Sequence, residues 1–137
     1  MAEIHTGRCA CEGIAYELTG PLRPVVACHC EQCRRISSHF VAASAVRREN
    51  FRLTSDSTLR WYQAVPGFRR GFCSNCGAAI IYEEEGGDRV SIGAGSLDNT
   101  AGMEIGAHIY CSEKGDYYTL EDKAEHQSAG EHSIPLP

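Results

Sequence analysis

Seven of the eight cysteines in this chain fall into three tight groups: Cys9-x-Cys11, Cys28-x-Cys30-x-x-Cys33 and Cys73-x-x-Cys76. Cysteines one residue apart rarely bridge each other, so the grouping does not read as a disulfide framework. The N-terminus, Met1 to Thr6, lacks the basic region and apolar core of a signal peptide, which places the expected compartment in the cytosol. In a reducing compartment, clustered thiols indicate metal or redox chemistry. A chain that must wrap around soft-metal sites is constrained to bring these groups together, and zinc is the first ion to consider.

The densest stretch is Cys28-His29-Cys30-Glu31-Gln32-Cys33-Arg34-Arg35. Three sulfurs leave a tetrahedral ion one ligand short, which is how catalytic zinc sites are commonly built. Cys9, Cys11, Cys73 and Cys76 together supply the four thiolates of a closed structural site; the alternative is four separate buried thiols. With those four assigned, Cys28, Cys30 and Cys33 remain as an open trio that water or a substrate thiol can complete. His29 is a rival fourth ligand, but it lies between two cysteines, and neighbours in an extended stretch point in opposite directions. A supporting hydrogen bond fits it better. Cys111, flanked by Ile109 and Tyr110, reads as a buried thiol on a strand. Arg34 and Arg35 are suited to offset the charge of three thiolates or to grip a substrate carboxylate, the alternative being a solvated basic turn.

The 137 residues suffice for one domain. Residues 1–126 are expected to form it, and the tail, residues 127–137, carries little core-forming material and is a candidate for fraying. No apolar run approaches membrane length. The net charge of −5 argues against nucleic-acid binding. That charge is uneven: ten Arg against six Asp or Glu up to Phe72, then three Lys or Arg against twelve Asp or Glu. This is either a solvated acidic second half or a basic face from the first half suited to an anionic substrate.

Short segments punctuated by Gly and polar clusters give the rhythm of a mainly β protein. Ile14, Tyr16 and Leu18 alternate with Ala15, Glu17 and Thr19 as on a strand with one buried face. Val25–Ala27 is a brief apolar run leading into the thiol cluster, and further strands are expected at Phe40–Val46, Phe68–Cys73, Ala79–Tyr82, Val90–Ile92 and Ala107–Ser112. Phe51–Thr54 and Leu59–Gln63 read as a pair of strands joined by a Ser55-Asp56-Ser57 turn. Glu31–Ser37 and Leu120–Glu125 read as short helical turns. Cys73-Ser74-Asn75-Cys76-Gly77 has the form of a zinc knuckle.

In this order Gly7-Arg8-Cys9-Ala10-Cys11, Cys28 to Arg35, Phe72 to Gly77, Gly95 to Asp98 and His108-Ile109 resemble the glutathione-dependent formaldehyde-activating enzyme family, which includes centromere-protein-V-like proteins. The resemblance runs from Gly7 to Tyr118. It implies a β fold of the tent type, stapled by a structural zinc on Cys9, Cys11, Cys73 and Cys76, with a second, labile catalytic zinc on Cys28, Cys30 and Cys33. The implied activity is that of a carbon–sulfur lyase joining glutathione, or another small thiol, to formaldehyde or a related aldehyde to give an S-hydroxymethyl adduct. Arg34 and Arg35 would hold the carboxylates of the thiol. Other readings are a non-catalytic zinc protein that carries glutathione, or a zinc-stabilised interaction module. Three positions depart from the family pattern: Glu12 and Ser38 stand where a glycine is usual, and Asp116-Tyr117 where a Pro-Trp pair is usual.

Overall fold

The computed structural model of the protein describes residues 3–130 and 134–137. Residues 131–133 of the expected tail, and residues 1 and 2, lie outside the described residues. The described residues build two open sheets and one α-helix. The smaller sheet has the order β1-β2-β5, from β1 (Ile4–Arg8), β2 (Ile14–Thr19) and β5 (Phe51–Asp56), all antiparallel. The larger sheet comprises β3 (Val25–Cys28), β4 (Val41–Arg47), β6 (Leu59–Val65), β7 (Phe68–Cys73), β8 (Ala79–Glu84), β9 (Arg89–Gly93), β10 (Ile105–Ile109) and β11 (Glu125–His126). Its order is β11-β10-β3-β4-β9-β8-β7-β6. β10 runs parallel to both β3 and β11; the other pairs are antiparallel. No helix among the described residues is long and apolar enough to cross a membrane.

The core lies between the sheets. Ile14, Tyr16 and Leu18 of β2 are buried as their alternation requires, and they pack with Val46, Ile80, Ile81, Val90 and Ile92 of the larger sheet. Cys9 and Cys73 belong to this same cluster, so the tetrathiol site is continuous with the apolar core. Tyr16 Oη, buried, meets Ser96 Oγ at 2.6 Å, and burial raises its pKa to about 12. The ring lies over Gly7, where any Cβ would strike the phenol hydroxyl. This explains the glycine two residues before Cys9. The segment Gly95 to Asp98 docks on β1 through Asp98 N–H to Thr6 O at 2.9 Å and Thr6 Oγ1 to Asp98 Oδ2 at 2.7 Å.

Three expected elements differ. β5 and β6 do not pair: β5 adds to β2, and β6 to β7 in the other sheet. The chain changes sheets at Ser57 and Thr58, because the Thr58 carbonyl accepts from Ser74 N–H and its hydroxyl lies 3.2 Å from Cys73 Sγ. Leu120–Glu125 is not helical. It bends, with Asp122 Oδ1 accepting from Ala124 N–H, and enters β11. The late strand stops at Ile109, because Tyr110 adopts a left-handed conformation (φ 54°) and starts a 3₁₀ turn over Cys111–Glu113. Cys111 is therefore half-buried on a turn rather than on a strand. Beyond β11, Gln127, Ser128 and Ala129 accept hydrogen bonds from the Cys111, Ser112 and Tyr110 amides.

Glu12 and Ser38, at two of the atypical positions, both hold φ near 67° (69° and 66°). Left-handed backbone costs an L-residue about 1 kcal/mol relative to glycine. Ser38 terminates the helix α1 (Glu31–Ser37), where only its backbone N–H, bonding to Arg34 O, is required. Ser38→Gly is therefore expected to raise unfolding free energy by about 0.5–1 kcal/mol, offset partly by the greater entropy of the unfolded chain. Urea unfolding of both proteins measures it; an unchanged or lower midpoint refutes it.

Candidate metal and thiol site

The sulfurs of Cys9, Cys11, Cys73 and Cys76 converge within 4.8 Å of one another, although the two pairs are over sixty residues apart. Cys9 Sγ to Cys11 Sγ is 3.7 Å, and Cys11 Sγ to Cys73 Sγ is 3.5 Å. A tetrahedron of sulfurs at zinc–sulfur bond length has edges of about 3.8 Å, so the donor set fits such an ion. Backbone amides already point at these sulfurs. Asn75 and Cys76 N–H approach Cys73 Sγ at 3.4 and 3.3 Å, and Ile14 N–H approaches Cys9 Sγ at 3.3 Å. The Cys76 amide and the Thr58 hydroxyl hold the Cys73 thiol well below its usual value, to about 5. Gly77, at φ 79°, lets the turn close around the site.

Cys28, Cys30 and Cys33 form a second convergence, also within 4.8 Å. β3 delivers Cys28, and α1 starts immediately after Cys30, whose Sγ caps the helix by accepting from Cys33 N–H at 3.3 Å. No imidazole nitrogen of His29 belongs to this donor group. A hydrogen bond from Cys28 and the nearby Arg70 guanidinium hold the Cys33 thiol below its usual range; the same shared bond, with burial, pushes Cys28 up. The trio is thus a set of thiols of which one is already inclined to ionise, the state a soft cation requires.

The cation that meets the trio is Arg70 of β7. Its Nη2 lies 3.6 Å from Cys33 Sγ. Gln32 Oε1 fixes it, accepting from Nη2 at 2.6 Å and Nε at 3.0 Å, and the guanidinium sits 4.5 Å over the Tyr82 ring. Arg70 was not among the residues singled out in the sequence, though its place between Phe68 and Phe72 on an alternating strand marks it as facing the same way as two aromatics. Arg35 bonds Glu31 at 3.3 Å and its side chain is 68% exposed. Arg34 is half-buried, and its side chain makes no hydrogen bond or ion pair among the described residues.

His29 is fully buried and turned toward β10. Its Nε2 lies 2.8 Å from His108 Nδ1, and its Nδ1 lies 2.5 Å from Tyr118 Oη. Burial, with His108 beside it, pushes the His29 imidazole down to about 4, so the ring is neutral at pH 7. Both of its ring nitrogens are thus engaged by other side chains. Phe40 and Tyr118 pack against it, and His39 packs on both. The atypical residues Ser38 and Tyr117 meet here beside His39: His39 Nδ1 is 2.8 Å from Tyr117 Oη, which also donates toward Ser38 O at 3.4 Å. Two departures from the family pattern are thus in contact with each other.

A cleft of about 590 Å³ is lined by Arg8, Ala79, Gly93, Ser96 and Asp98, beside Cys9 of the tetrathiol site. Ala79, Ile80 and Gly93 also line a narrower apolar cleft that reaches Arg70 and Tyr82. Arg70 stands between this second cleft and the thiol trio.

The sequence profile of the glutathione-dependent formaldehyde-activating enzyme family matches residues 4–113, which span both thiol sites. A crystal structure of a Rhodobacter sphaeroides protein, 21% identical, shares the fold, with a TM-score of 0.59 over 69% of this chain and 88% of that one. No curated protein matches the chain. With two thiol groups assembled in the family's order and the profile covering most of its length, the chain belongs to the glutathione-dependent formaldehyde-activating enzyme family.

Proposed function

We propose that the protein is a zinc-dependent carbon–sulfur lyase-type enzyme that joins a small thiol, glutathione first, to formaldehyde or a related aldehyde. The observation that carries this is the pairing of a closed four-thiol group with an open three-thiol group beside a fixed guanidinium. Zinc at Cys28, Cys30 and Cys33 would lower the pKa of a thiol that completes its shell and keep that thiol deprotonated at neutral pH. Zinc on Cys9, Cys11, Cys73 and Cys76 would be structural, stapling a β-tent domain over residues 1–126.

In the overall reaction the thiol sulfur bonds to the carbonyl carbon. The carbonyl π pair moves to oxygen, and the thiol proton ends on the new hydroxyl. The chain's own residues serve this in three ways. Arg70, held by Gln32 and Tyr82, offsets the charge of the three thiolates and of a fourth sulfur brought among them. Arg34, whose side chain has no hydrogen-bond or ion-pair partner among the described residues, is the better placed of the helix arginines to grip a substrate carboxylate, Arg35 being engaged by Glu31. Ile36, Val41 and Tyr82 line a small apolar cleft at Arg70, a contact surface for the apolar part of a thiol held at the trio.

The test is the rate of glutathione addition to formaldehyde, followed by exchange spectroscopy with and without the protein, then repeated with other thiols. Acceleration over the spontaneous rate supports an enzyme. Binding of glutathione without acceleration identifies a carrier and refutes the enzyme reading. Arg70→Gln is expected to lower the protein-dependent rate by about ten- to a hundredfold, the size of effect seen when groups supporting a metal site are removed. A variant within twofold of wild type refutes the role given to Arg70.

A further inference from the structure

Behind the thiol trio, a line of polar side chains runs from the interior to the surface: Tyr118, His29, His108, Asp122 and His126. His108, 2% exposed, has Nε2 at 2.8 Å from Asp122 Oδ2. Asp122 Oδ1 lies 3.3 Å from His126 Nε2. His108 and His126 stand directly opposite in the parallel pair of β10 and β11, so the sheet itself sets both imidazoles on one face. We propose that His108, Asp122 and His126 form a third metal site, a seat for a divalent ion of the zinc type, distinct from the two thiol groups.

The donor atoms carry the argument. His108 and His126 each offer a ring nitrogen and Asp122 one carboxylate oxygen, all within 4.8 Å of one another. The two imidazole nitrogens meet the two oxygens of the one carboxylate, His108 Nε2 at 2.8 Å from Oδ2 and His126 Nε2 at 3.3 Å from Oδ1, so both rings already converge on the group that would share the ion with them. Two imidazoles and one carboxylate are a recognised zinc donor set, and they leave a position open. That position faces water, because Asp122 and His126 are 45% and 37% exposed, so an ion can enter and leave. The buried ligand is also supported as metal-bound histidines are: its other nitrogen is held by a partner, here His29 Nε2 at 2.8 Å.

Occupancy has a consequence inside the protein. Without an ion, Asp122 accepts the proton of His108 Nε2. His108 Nδ1 then accepts from His29 Nε2–H, and His29 Nδ1 accepts from Tyr118 O–H. With an ion on His108 Nε2, its proton must sit on Nδ1 and be donated to His29 Nε2. His29 then carries its proton on Nδ1 and donates it to Tyr118 Oη, whose own proton turns to solvent. The number of protons along the chain is unchanged; only its direction reverses. His29 lies between Cys28 and Cys30, so an ion at the surface sets the hydrogen-bond polarity behind the thiol loop.

The experiment counts ions and reads imidazole protons, so it does not depend on the thiol chemistry proposed above. Full-length wild type, Asp122→Asn, His126→Ala and Glu121→Gln are equilibrated at equal free zinc, and bound zinc is measured by elemental analysis. Wild type and Glu121→Gln are expected to bind one more zinc than either triad variant, whose affinity for that ion falls at least about tenfold. In the wild type, nitrogen-15 spectra of the histidine side chains should show the His29 proton moving from Nε2 to Nδ1 as this ion binds. Equal zinc in all four proteins overturns the site. A full complement of zinc with no change at His29 overturns the coupling.

Discussion

Cys73→Ala is expected to lose the cooperative fold altogether. Cys73 is completely buried, belongs to the central apolar cluster, and receives amides from both Asn75 and Cys76. Its sulfur also holds Thr58, the residue at which the chain passes from one sheet to the other. Removing it leaves three thiols around a site that needs four, two amides without an acceptor, and a crossing between sheets without its anchor. Structural zinc contributes on the order of 10–16 kcal/mol in small zinc-folded peptides. A domain of ordinary size retains about 5–15 kcal/mol in total. Loss of the proposed structural zinc therefore matches or exceeds everything the rest of the fold supplies. Far-ultraviolet circular dichroism during heating, with elemental analysis of any soluble fraction, measures this. A soluble Cys73→Ala protein that melts cooperatively near the wild-type temperature would refute the structural role. Cys76→Ala, although Cys76 is exposed, is expected to behave as Cys73→Ala does, because the site and not the burial of one thiol is what matters.

What was legible in the sequence was whatever is written locally. The alternation over β2 marks its buried face, and the Cys73 to Gly77 turn carries its own geometry in a glycine at φ 79°. Pairing choices are not local. Residues 51–56 and 59–65 are both good strands, and nothing in their composition says that a two-residue link should divide them between sheets; Thr58 does so through Cys73 and Ser74. The partners of the thiol trio are distant as well. Arg70 lies thirty-seven residues from Cys33, and His29 lies seventy-nine from His108. A guanidinium adjacent in sequence, such as Arg35, is easier to notice than one adjacent in space, yet the helix carries Arg35 into an exposed pair with Glu31. The Asp122 and His126 pair was hidden for a different reason. A spacing of four suits a helical turn, and only the bend into β11 shows that these two residues meet His108 of a neighbouring strand.

Cys30→Ala tests the other thiol group, and here the fold is expected to survive while one ion and the chemistry are lost. Neither Cys28, Cys30 nor Cys33 belongs to the central cluster between the sheets, so removing a single sulfur opens no cavity there. Cys30 does have one structural duty, since its Sγ caps α1 through Cys33 N–H. Losing a helix N-cap costs about 1 kcal/mol, which for a chain of this size lowers the melting temperature by roughly 3–6 °C. Cys30→Ser separates the two roles. Serine is a good N-cap, so the melting temperature should return to within about 2 °C of wild type. Its hydroxyl does not replace a thiolate as a soft ligand, so the zinc deficit should persist. Both variants should add glutathione to formaldehyde no faster than the uncatalysed mixture. The comparison is therefore a melting curve, a zinc count and a rate on three proteins. If Cys30→Ser keeps full zinc, the trio is not the labile site. If it loses the ion but still accelerates the reaction, the chemistry takes place without that ion, and the open thiol group is not where the substrate sulfur is activated.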